Sequence, residues 1–312
     1  MRAAVSRGYG PADSVTLSDL PDPVPGAGQM LVRIHAASMN PLDAKLRSGA
    51  LKRVMPLRFP AVLGFDFSGT VEGLGTGVEG WSVGERVYGR TDAKAGGTHA
   101  ELVVVGARVV DRMPAGIDFP GAAALPLAGM TALQALEQLG VGTDERVLVI
   151  GAAGGVGSLA VQIARAAGAS VTGVCSSAAA PLVVSLGASV LDYTKGELAT
   201  TEDRFDAVLD TVANAPTDDT LRVMTNSARY VTTGFAVGIL LRKTFGRLVS
   251  RRHFGFVMSR ADGALMRRLT ALVASNQLRP VLSQTFPLAK IAEAHAAMEA
   301  GHVRGKIVVT MP

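Results

Sequence analysis

The 312-residue chain has a single cysteine, Cys175. One thiol cannot form an intramolecular disulfide, and it cannot supply a structural zinc site that needs two or more thiolates. The chain also lacks an uncharged apolar run of about 18 residues, and its first residues lack the apolar stretch of a signal peptide. We therefore expect a cytoplasmic protein without a membrane span.

Aromatic residues are scarce, at 5% of the chain. This is too few for the stacking platforms that bind nucleic-acid bases, so we expect no nucleic-acid partner. The net charge is +5, but most basic residues are dispersed, which favours a solvated surface. With 48% hydrophobic and 18% charged residues, the composition indicates a large folded core and excludes general disorder.

The sequence pattern changes along the chain. Residues 1–118 contain short strand-like segments between Pro and Gly clusters, and residues 29–35 alternate with a period of two, which is typical of a partly open β-barrel. Over 119–262, apolar strands alternate with alanine-rich helices, which predicts βαβ units and a parallel sheet. Residues 263–312 return to the first pattern, so we expect an α/β protein whose β domain is completed by the C-terminal segment.

The strongest motif lies at residues 147–157, where an apolar strand leads through a glycine turn directly into a helix. Glycines let the backbone approach a pyrophosphate, and the helix N-terminus offers N–H groups and partial positive charge. The spacing is one residue longer than the usual G-x-G-x-x-G, and a strand-to-helix turn without a ligand is the alternative. We predict a dinucleotide site formed by Gly151, Gly154, Gly155, Val156 and Gly157.

The second strand of this region indicates which dinucleotide binds. NAD enzymes place an acidic residue at its end to bind the ribose hydroxyls, but no acidic residue occurs between Glu145 and Asp192. The strand ends instead in Ser176 and Ser177, whose hydroxyls can donate to a 2′-phosphate, although no Arg or Lys follows them closely. We expect NADPH rather than NADH.

Seven segments match the pattern of a known family in order and spacing: residues 40–43 (NPLD), 64–71 (GFDFSGTV), 84–89 (GERVYG), 123–132 (AALPLAGMTA), the glycine turn, 191–193 (LDY) and 301–306 (GHVRGK). On these segments nearly the whole chain resembles the medium-chain dehydrogenase/reductase superfamily, specifically its zinc-free quinone oxidoreductase branch. The resemblance implies a GroES-like catalytic domain (1–118 and 263–312), a Rossmann domain (119–262) and an active site in the cleft between them. We also expect a homodimer.

The resemblance further implies roles for individual residues. Asn40 corresponds to a residue that hydrogen-bonds near the nicotinamide and the acceptor carbonyl, and Asp43, in the same motif, is expected to be catalytic or to orient the loop. Four further positions correspond to cofactor contacts, at the nicotinamide ring, beside the adenosine and along the nicotinamide half: Thr131, Tyr193, Gly234 and Phe235.

Zinc-dependent relatives place a Cys near residues 38–40 and a His-Glu pair where this chain has Phe65 and Asp66. Without the Cys and the His, three metal ligands cannot be assembled, and the five histidines share no metal-ligand spacing. The resemblance therefore implies hydride transfer from NADPH to an acceptor that needs no Lewis acid, such as a quinone or an α,β-unsaturated carbonyl compound.

Two alternatives remain open. Enoyl-thioester reductases of the same fold use a Tyr shortly after the Asn-Pro element, but residues 47–51 contain none. A non-catalytic NADPH-binding sensor or membrane adaptor is suggested by Ala236 to Arg252, an apolar and then basic run typical of an anionic membrane surface. The preferred interpretation of that run is a lid or cleft-wall helix with a solvated basic face.

Overall fold

The computed structural model describes residues 1–91, 96–212, 216–234 and 251–312. It forms two compact units, a terminal unit (Met1–Leu127 with Ala261–Pro312) and a central unit (Ala128–Arg260). The first division lies after Leu127 rather than after residue 118, because the helix Phe119–Ala123 packs against strands of the terminal unit. Most of the segment Ala236 to Arg252 lies outside the described residues.

The described elements are numbered along the chain. The strands are β1 (Arg2–Ser6), β2 (Val15–Asp19), β3 (Gln29–Ser38), β4 (Ala61–Val62), β5 (Asp66–Leu74), β6 (Arg86–Arg90), β7 (Leu102–Gly106), β8 (Val110–Arg112), β9 (Arg146–Ile150), β10 (Ser170–Cys175), β11 (Ser189–Asp192), β12 (Phe205–Asp210), β13 (Met224–Thr232), β14 (His253–Phe256), β15 (Leu282–Pro287) and β16 (Lys306–Thr310). The helices are α1 (Pro41–Arg47), α2 (Phe119–Ala123), α3 (Pro126–Leu139), α4 (Gly155–Ala166), α5 (Ala180–Ser185), α6 (Glu197–Thr200), α7 (Asp218–Val223), α8 (Gly263–Ala274) and α9 (Ile291–Glu299).

The terminal unit contains a three-stranded sheet, β2-β1-β4, and a seven-stranded sheet in which β15-β16-β3-β5-β6-β8 are neighbours and β7 pairs with β3. Strand β16 pairs antiparallel with β3, so the C-terminal segment completes a sheet begun near the N-terminus, as predicted. The alternating apolar residues of β3, Met30, Val32 and Ile34, are buried in its core.

The central unit is a six-stranded sheet in the order β11-β10-β9-β12-β13-β14, and every pairing in it is parallel. Strand β9, inside the sheet, carries a continuous apolar run: Val147, Leu148 and Val149 are fully buried, as expected where both sheet faces are covered. The strand order is that of the dinucleotide-binding Rossmann fold, which confirms the predicted fold class.

The apolar pattern predicts a strand over residues 229–232, but β13 begins at Met224. The five added residues include Thr225, Asn226 and Ser227, which lack the apolar pattern of a buried strand. In these residues the pairing of β13 with β12 is irregular, because Met224 is opposite Phe205 and Arg229 is already opposite Ala207. Among the described residues, no helix is long and apolar enough to cross a membrane.

Two buried histidines lie together in the terminal unit. The rings of His99 and His295 meet edge to face, with centroids 5.9 Å apart, and both side chains are fully buried. Burial lowers the pKa of His99 to about 4 and the pKa of His295 to about 3, so both rings are neutral in the folded protein at neutral pH. In the unfolded chain each ring titrates near its ordinary pKa of about 6.5.

This pair should make the terminal unit sensitive to acid. As the pH falls below about 6.5, the unfolded chain takes up protons that the folded chain cannot bind, and near pH 5 each histidine should lower the free energy of unfolding by about 2 kcal/mol. The fluorescence of Trp81, the single tryptophan, reports urea unfolding of this unit. His295→Phe should flatten the loss of stability with pH, whereas substitution of the exposed His253 should not. An unchanged slope in His295→Phe would contradict this assignment.

Candidate functional site

Because all strands of the central unit are parallel, their carboxyl ends meet at one edge of the sheet. The loops that follow β9, β10, β11, β12 and β13 therefore lie at the same edge. The strand order reverses direction between β9 and β12, and ligands of open α/β sheets bind at such a switch point. This edge is the candidate cofactor site.

The predicted glycine turn lies at the end of β9. Gly151 has φ +77°, a left-handed conformation that favours glycine. At Gly157 a Cβ would lie 2.1 Å from the carbonyl oxygen of Gly151, so only glycine allows this close approach. Gly154 is the N-cap of α4 and offers no side-chain cap, which leaves the first-turn N–H groups of Gly155 and Val156 available to an anion.

The segment that follows β12 also lies at this edge of the sheet, and it was not predicted from the sequence. The Thr211 hydroxyl donates to the carbonyl oxygen of Ile150 over 2.8 Å, which ties the end of β12 to the glycine turn. Buried Asp210 accepts hydrogen bonds from the Tyr230 hydroxyl (2.6 Å) and the Val212 N–H (2.8 Å). The sequence does contain a signal for this segment, because two polar residues, Asp210 and Thr211, stand at the end of an apolar strand.

The end of β10 differs from the sequence expectation. Cys175 and Asp192 are opposite each other in the register of β10 and β11, so the neighbouring strand brings a carboxylate to the serines. The Ser177 hydroxyl donates to Asp192, and the Thr194 hydroxyl donates to the same carboxylate over 2.6 Å. These hydrogen bonds lower the pKa of Asp192 to about 2. Because its proton is directed to Asp192, Ser177 is not available as a phosphate donor in this arrangement.

A cation also reaches this strand end. The Lys195 ammonium lies 3.8 Å from Asp192 Oδ2, and its side chain is 64% exposed. Lys195 belongs to the segment after β11, far in sequence from the serines, so a basic residue was not expected from the residues that follow Ser177. Parallel pairing of β10 and β11 places the two segments side by side.

The other predicted cofactor residues occupy different positions in the central unit. Thr131 is buried within α3, and Gly234 lies just beyond the end of β13. Tyr193 follows β11 directly and is 52% exposed, so core packing does not account for this side chain. Phe235 lies outside the described residues.

In the terminal unit, Asn40 and Asp43 form the N-terminus of α1. Asn40 is the N-cap, and a capping box joins its side chain and backbone to Asp43. Fully buried Asp43 accepts the N–H of Asn40 at 2.7 Å and the N–H of Gly64 at 3.0 Å. Burial raises the pKa of Asp43 to about 7, although both N–H donors oppose that rise. Asp43 therefore holds two loops in position, and both of its oxygens are occupied.

Asn40 also belongs to a buried network around Asp66. The Asp66 carboxylate accepts hydrogen bonds from Asn40 Nδ2 (2.9 Å), Ser38 Oγ (2.7 Å) and the Leu127 N–H (2.7 Å). Lys306 Nζ donates to Asn40 Oδ1 over 2.6 Å and lies 3.6 Å from Asp66 Oδ2. Lys306 lies in one of the seven segments shared with the family, but no role was predicted for its side chain.

Known proteins resemble this chain over both units. Residues 26–115 match the family described as "Alcohol dehydrogenase GroES-like domain", and residues 186–309 match "Zinc-binding dehydrogenase". The "NAD(P)H oxidoreductase RTN4IP1, mitochondrial" of Homo sapiens is 33% identical over 91% of this chain and 82% of its own length. The "NADPH-dependent alkenal/one oxidoreductase, chloroplastic" of Arabidopsis thaliana is 33% identical over 99% of this chain and 79% of its own. The solved quinone oxidoreductase of Coxiella burnetii has a TM-score of 0.91 at 32% identity, covering 100% of this chain and 99% of that one.

The chain belongs to the medium-chain dehydrogenase/reductase superfamily. Its relatives place it in the quinone-oxidoreductase-like branch, as the seven shared segments predicted. The glycine turn fits the nicotinamide dinucleotide that this superfamily uses. The GroES-like assignment of the terminal unit is likewise confirmed.

Although one matched family is described as zinc-binding, the described residues do not fit a catalytic zinc. None of them form a group of three or more His, Cys, Asp or Glu side chains suited to a metal. At the position of the zinc ligands of relatives, Phe65 is a buried apolar side chain, and the Asp66 carboxylate already has a cation, Lys306, 3.6 Å away.

The glycine turn can be tested with two substitutions at one position. Gly154→Asp should weaken NADPH binding by roughly 100-fold or more, because it places a carboxylate where the N-terminus of α4 would receive the pyrophosphate. Gly154→Ala is the matched control, since a Cβ at this residue comes no closer than 3.3 Å to Gly151 O. Its dissociation constant, measured by calorimetry, should stay within about threefold of the wild-type value. Equal affinities of the two variants would refute the assignment.

Proposed function

We propose that this protein is a zinc-independent, NADPH-dependent reductase of quinones or α,β-unsaturated carbonyl compounds. The proposal is based on the glycine turn at the switch point of the parallel sheet, where no side chain caps the N-terminus of α4. Relatives named for NAD(P)H-dependent, alkenal/one and quinone reduction support the choice of acceptor.

The residues of the central unit suggest how the cofactor would be held. The N–H groups of Gly155 and Val156 would bind the pyrophosphate, and exposed Tyr193 would lie beside the adenosine. Thr131, Gly234 and Phe235 are proposed to contact the nicotinamide half. The bound dihydronicotinamide supplies a hydride to the acceptor.

Within the terminal unit, Asn40 is the proposed catalytic residue. As the acceptor gains a hydride, negative charge develops on its carbonyl oxygen, and an amide N–H aimed at that oxygen stabilises the charge. A proton from solvent then completes the reduction, at oxygen for a quinone or at the α-carbon for an enone. Asp43 acts by positioning α1, since both of its oxygens accept backbone N–H groups.

The proposed preference for NADPH rests on the end of β10. Lys195 provides an exposed cation there, and the Ser176 hydroxyl makes no hydrogen bond to another described residue, so it is available as a donor. The Asp192 carboxylate opposes a 2′-phosphate, but hydroxyl and backbone donors surround it and Lys195 lies nearby. A phosphate at this position would therefore meet a cation that NADH does not require.

Lys195→Gln tests this preference. Loss of the cation should raise the dissociation constant of NADPH by roughly tenfold and leave that of NADH within about twofold. Lys290→Gln, at an exposed lysine of the terminal unit, is the control for the change in net charge. If both cofactors weaken equally, Lys195 does not recognise the 2′-phosphate.

The function is tested by following dihydronicotinamide absorbance with NADPH and with NADH across quinones, alkenals and enoyl thioesters, before and after treatment with a chelator. We expect turnover of quinones or alkenals, unaffected by chelation. Preferred turnover of enoyl thioesters would establish the first alternative. Binding of NADPH without turnover, together with sedimentation on anionic vesicles, would establish a non-catalytic membrane adaptor.

We also propose that the protein is a cytoplasmic homodimer.

Asn40→Ala tests the catalytic assignment. A single hydrogen bond to an oxygen that gains negative charge contributes about 1.5 to 3 kcal/mol, so kcat/KM for a quinone or enone should fall by roughly 10- to 100-fold. NADPH affinity should change by no more than about threefold, because the glycine turn is intact. Urea unfolding followed by Trp81 fluorescence controls for stability. Unchanged turnover would show that Asn40 only packs the loop.

A further inference from the structure

Lys306 places a buried ammonium group among oxygen atoms of the terminal unit. Its side chain is 6% exposed. Nζ donates to the Met39 carbonyl oxygen over 2.9 Å and to Asn40 Oδ1 over 2.6 Å. Asp66 Oδ2 lies 3.6 Å away. Both close hydrogen bonds therefore end on the segment that leads into α1.

These contacts determine the orientation of the Asn40 amide. An ammonium group can only donate hydrogen bonds, so the Asn40 atom that faces Lys306 must be the oxygen. Asp66 already accepts hydrogen bonds from Ser38 Oγ and the Leu127 N–H, so the Asn40 atom that faces it over 2.9 Å must be the donating nitrogen. If the amide were rotated by 180°, exchanging its oxygen and nitrogen, the hydrogen bonds to Lys306 and to Asp66 would both be lost.

One N–H of Asn40 is then left for an external acceptor. The amide nitrogen carries two hydrogens, and Asp66 accepts one of them. Among the described residues its remaining acceptor is the Ser38 carbonyl oxygen at 3.5 Å, which is beyond the usual range for an N–H donor. A cation on the amide oxygen also polarises the amide and strengthens its N–H as a donor.

We infer that Lys306 is a positioning residue whose ammonium group orients and polarises the Asn40 amide, so that its remaining N–H can stabilise negative charge on the acceptor oxygen. The inference rests on the proposed reductase function. It assigns to a side chain of β16 the positive charge that lies 3.6 Å from Asp66. Lys306 acts through Asn40 and is not itself assigned contact with the acceptor.

The pKa of Lys306 determines the pH range in which its side chain carries a positive charge. Burial lowers its pKa, whereas the carboxylates of Asp66 and Asp43 raise it. His99, which is neutral at neutral pH, also interacts electrostatically with Lys306, and buried Arg90 is opposite Asp66 in the β5–β6 register. Strand β3 and helix α9 also pack against β16 and carry His35 and His295. Deprotonation at alkaline pH would remove the charge that polarises the amide and leave a neutral amine, which is a weaker hydrogen-bond donor.

The first experiment compares Lys306→Met, Lys306→Arg and Lys290→Met. Lys306→Met should lower kcat for an alkenal by roughly 10- to 100-fold, with the NADPH dissociation constant within about twofold of wild type. Lys306→Arg should recover part of the lost kcat, and Lys290→Met should match wild type. A loss of kcat that is accompanied by an equal loss of NADPH affinity or of folded protein would overturn the inference.

The pH profile separates the charge of Lys306 from its packing. Wild-type kcat/KM should fall on the alkaline side with an apparent pKa below that of an exposed lysine, about 10.4. Lys306→Arg should lack this alkaline limb, since a guanidinium stays protonated. Ionisation of Asp43 is common to both proteins and cancels in the comparison. An identical alkaline limb in Lys306→Arg would contradict the role of the charge.

A measurement independent of turnover keeps this inference distinct from the proposed function. The chain has four asparagines, at positions 40, 214, 226 and 276, so selective ¹⁵N labelling gives few side-chain NH₂ signals, and Asn40→Ala assigns the relevant one. In the wild type these two protons should have separate shifts, and they should move on alkaline titration. In Lys306→Arg they should not move. If no acceptor is reduced, the proposed function fails, and these shifts still decide whether Lys306 orients Asn40.

Discussion

The terminal unit is organised around a buried pair of opposite charges, Asp66 and Lys306. Removing both charges from water is costly, and their mutual attraction offsets that cost only when the remaining donors and acceptors are also satisfied. Here the Asp66 carboxylate accepts three further hydrogen bonds, and the Lys306 ammonium donates to two oxygens. Asn40 bridges the two charges, so its position depends on both.

This pair also links distant parts of the chain. Asp66 begins β5, whereas Lys306 begins β16, and the hydrogen bond from Lys306 to Asn40 spans 266 residues. The C-terminal strand therefore has two functions in the terminal unit. It completes the sheet beside β3, and it delivers the cation that faces the proposed catalytic amide. Loss of this strand would leave Asp66 buried without its cation.

In the central unit the corresponding constraint is parallel pairing. Loops that are far apart in sequence meet at one sheet edge because every strand points the same way. The glycine turn could be predicted because strand, turn and helix are contiguous in sequence. The environment of Ser177 could not, since Asp192 and Lys195 come from the next strand, and only the pairing of β10 with β11 places them there. The residues of β10 alone therefore indicate neither the Asp192 carboxylate nor the Lys195 cation.

The sequence by itself determined the two-part α/β architecture, the parallel sheet and the glycine turn, because apolar periodicity and glycine spacing are local properties of the backbone. It also indicated Asn40 through a short contiguous motif. Only the tertiary structure decided which atom of the Asn40 amide faces Lys306, which faces Asp66, and which charges lie beside the serines after β10. Those features depend on Asp66, Lys306 and Asp192, whose side chains reach their partners through strand pairing and burial rather than through neighbouring positions in the chain.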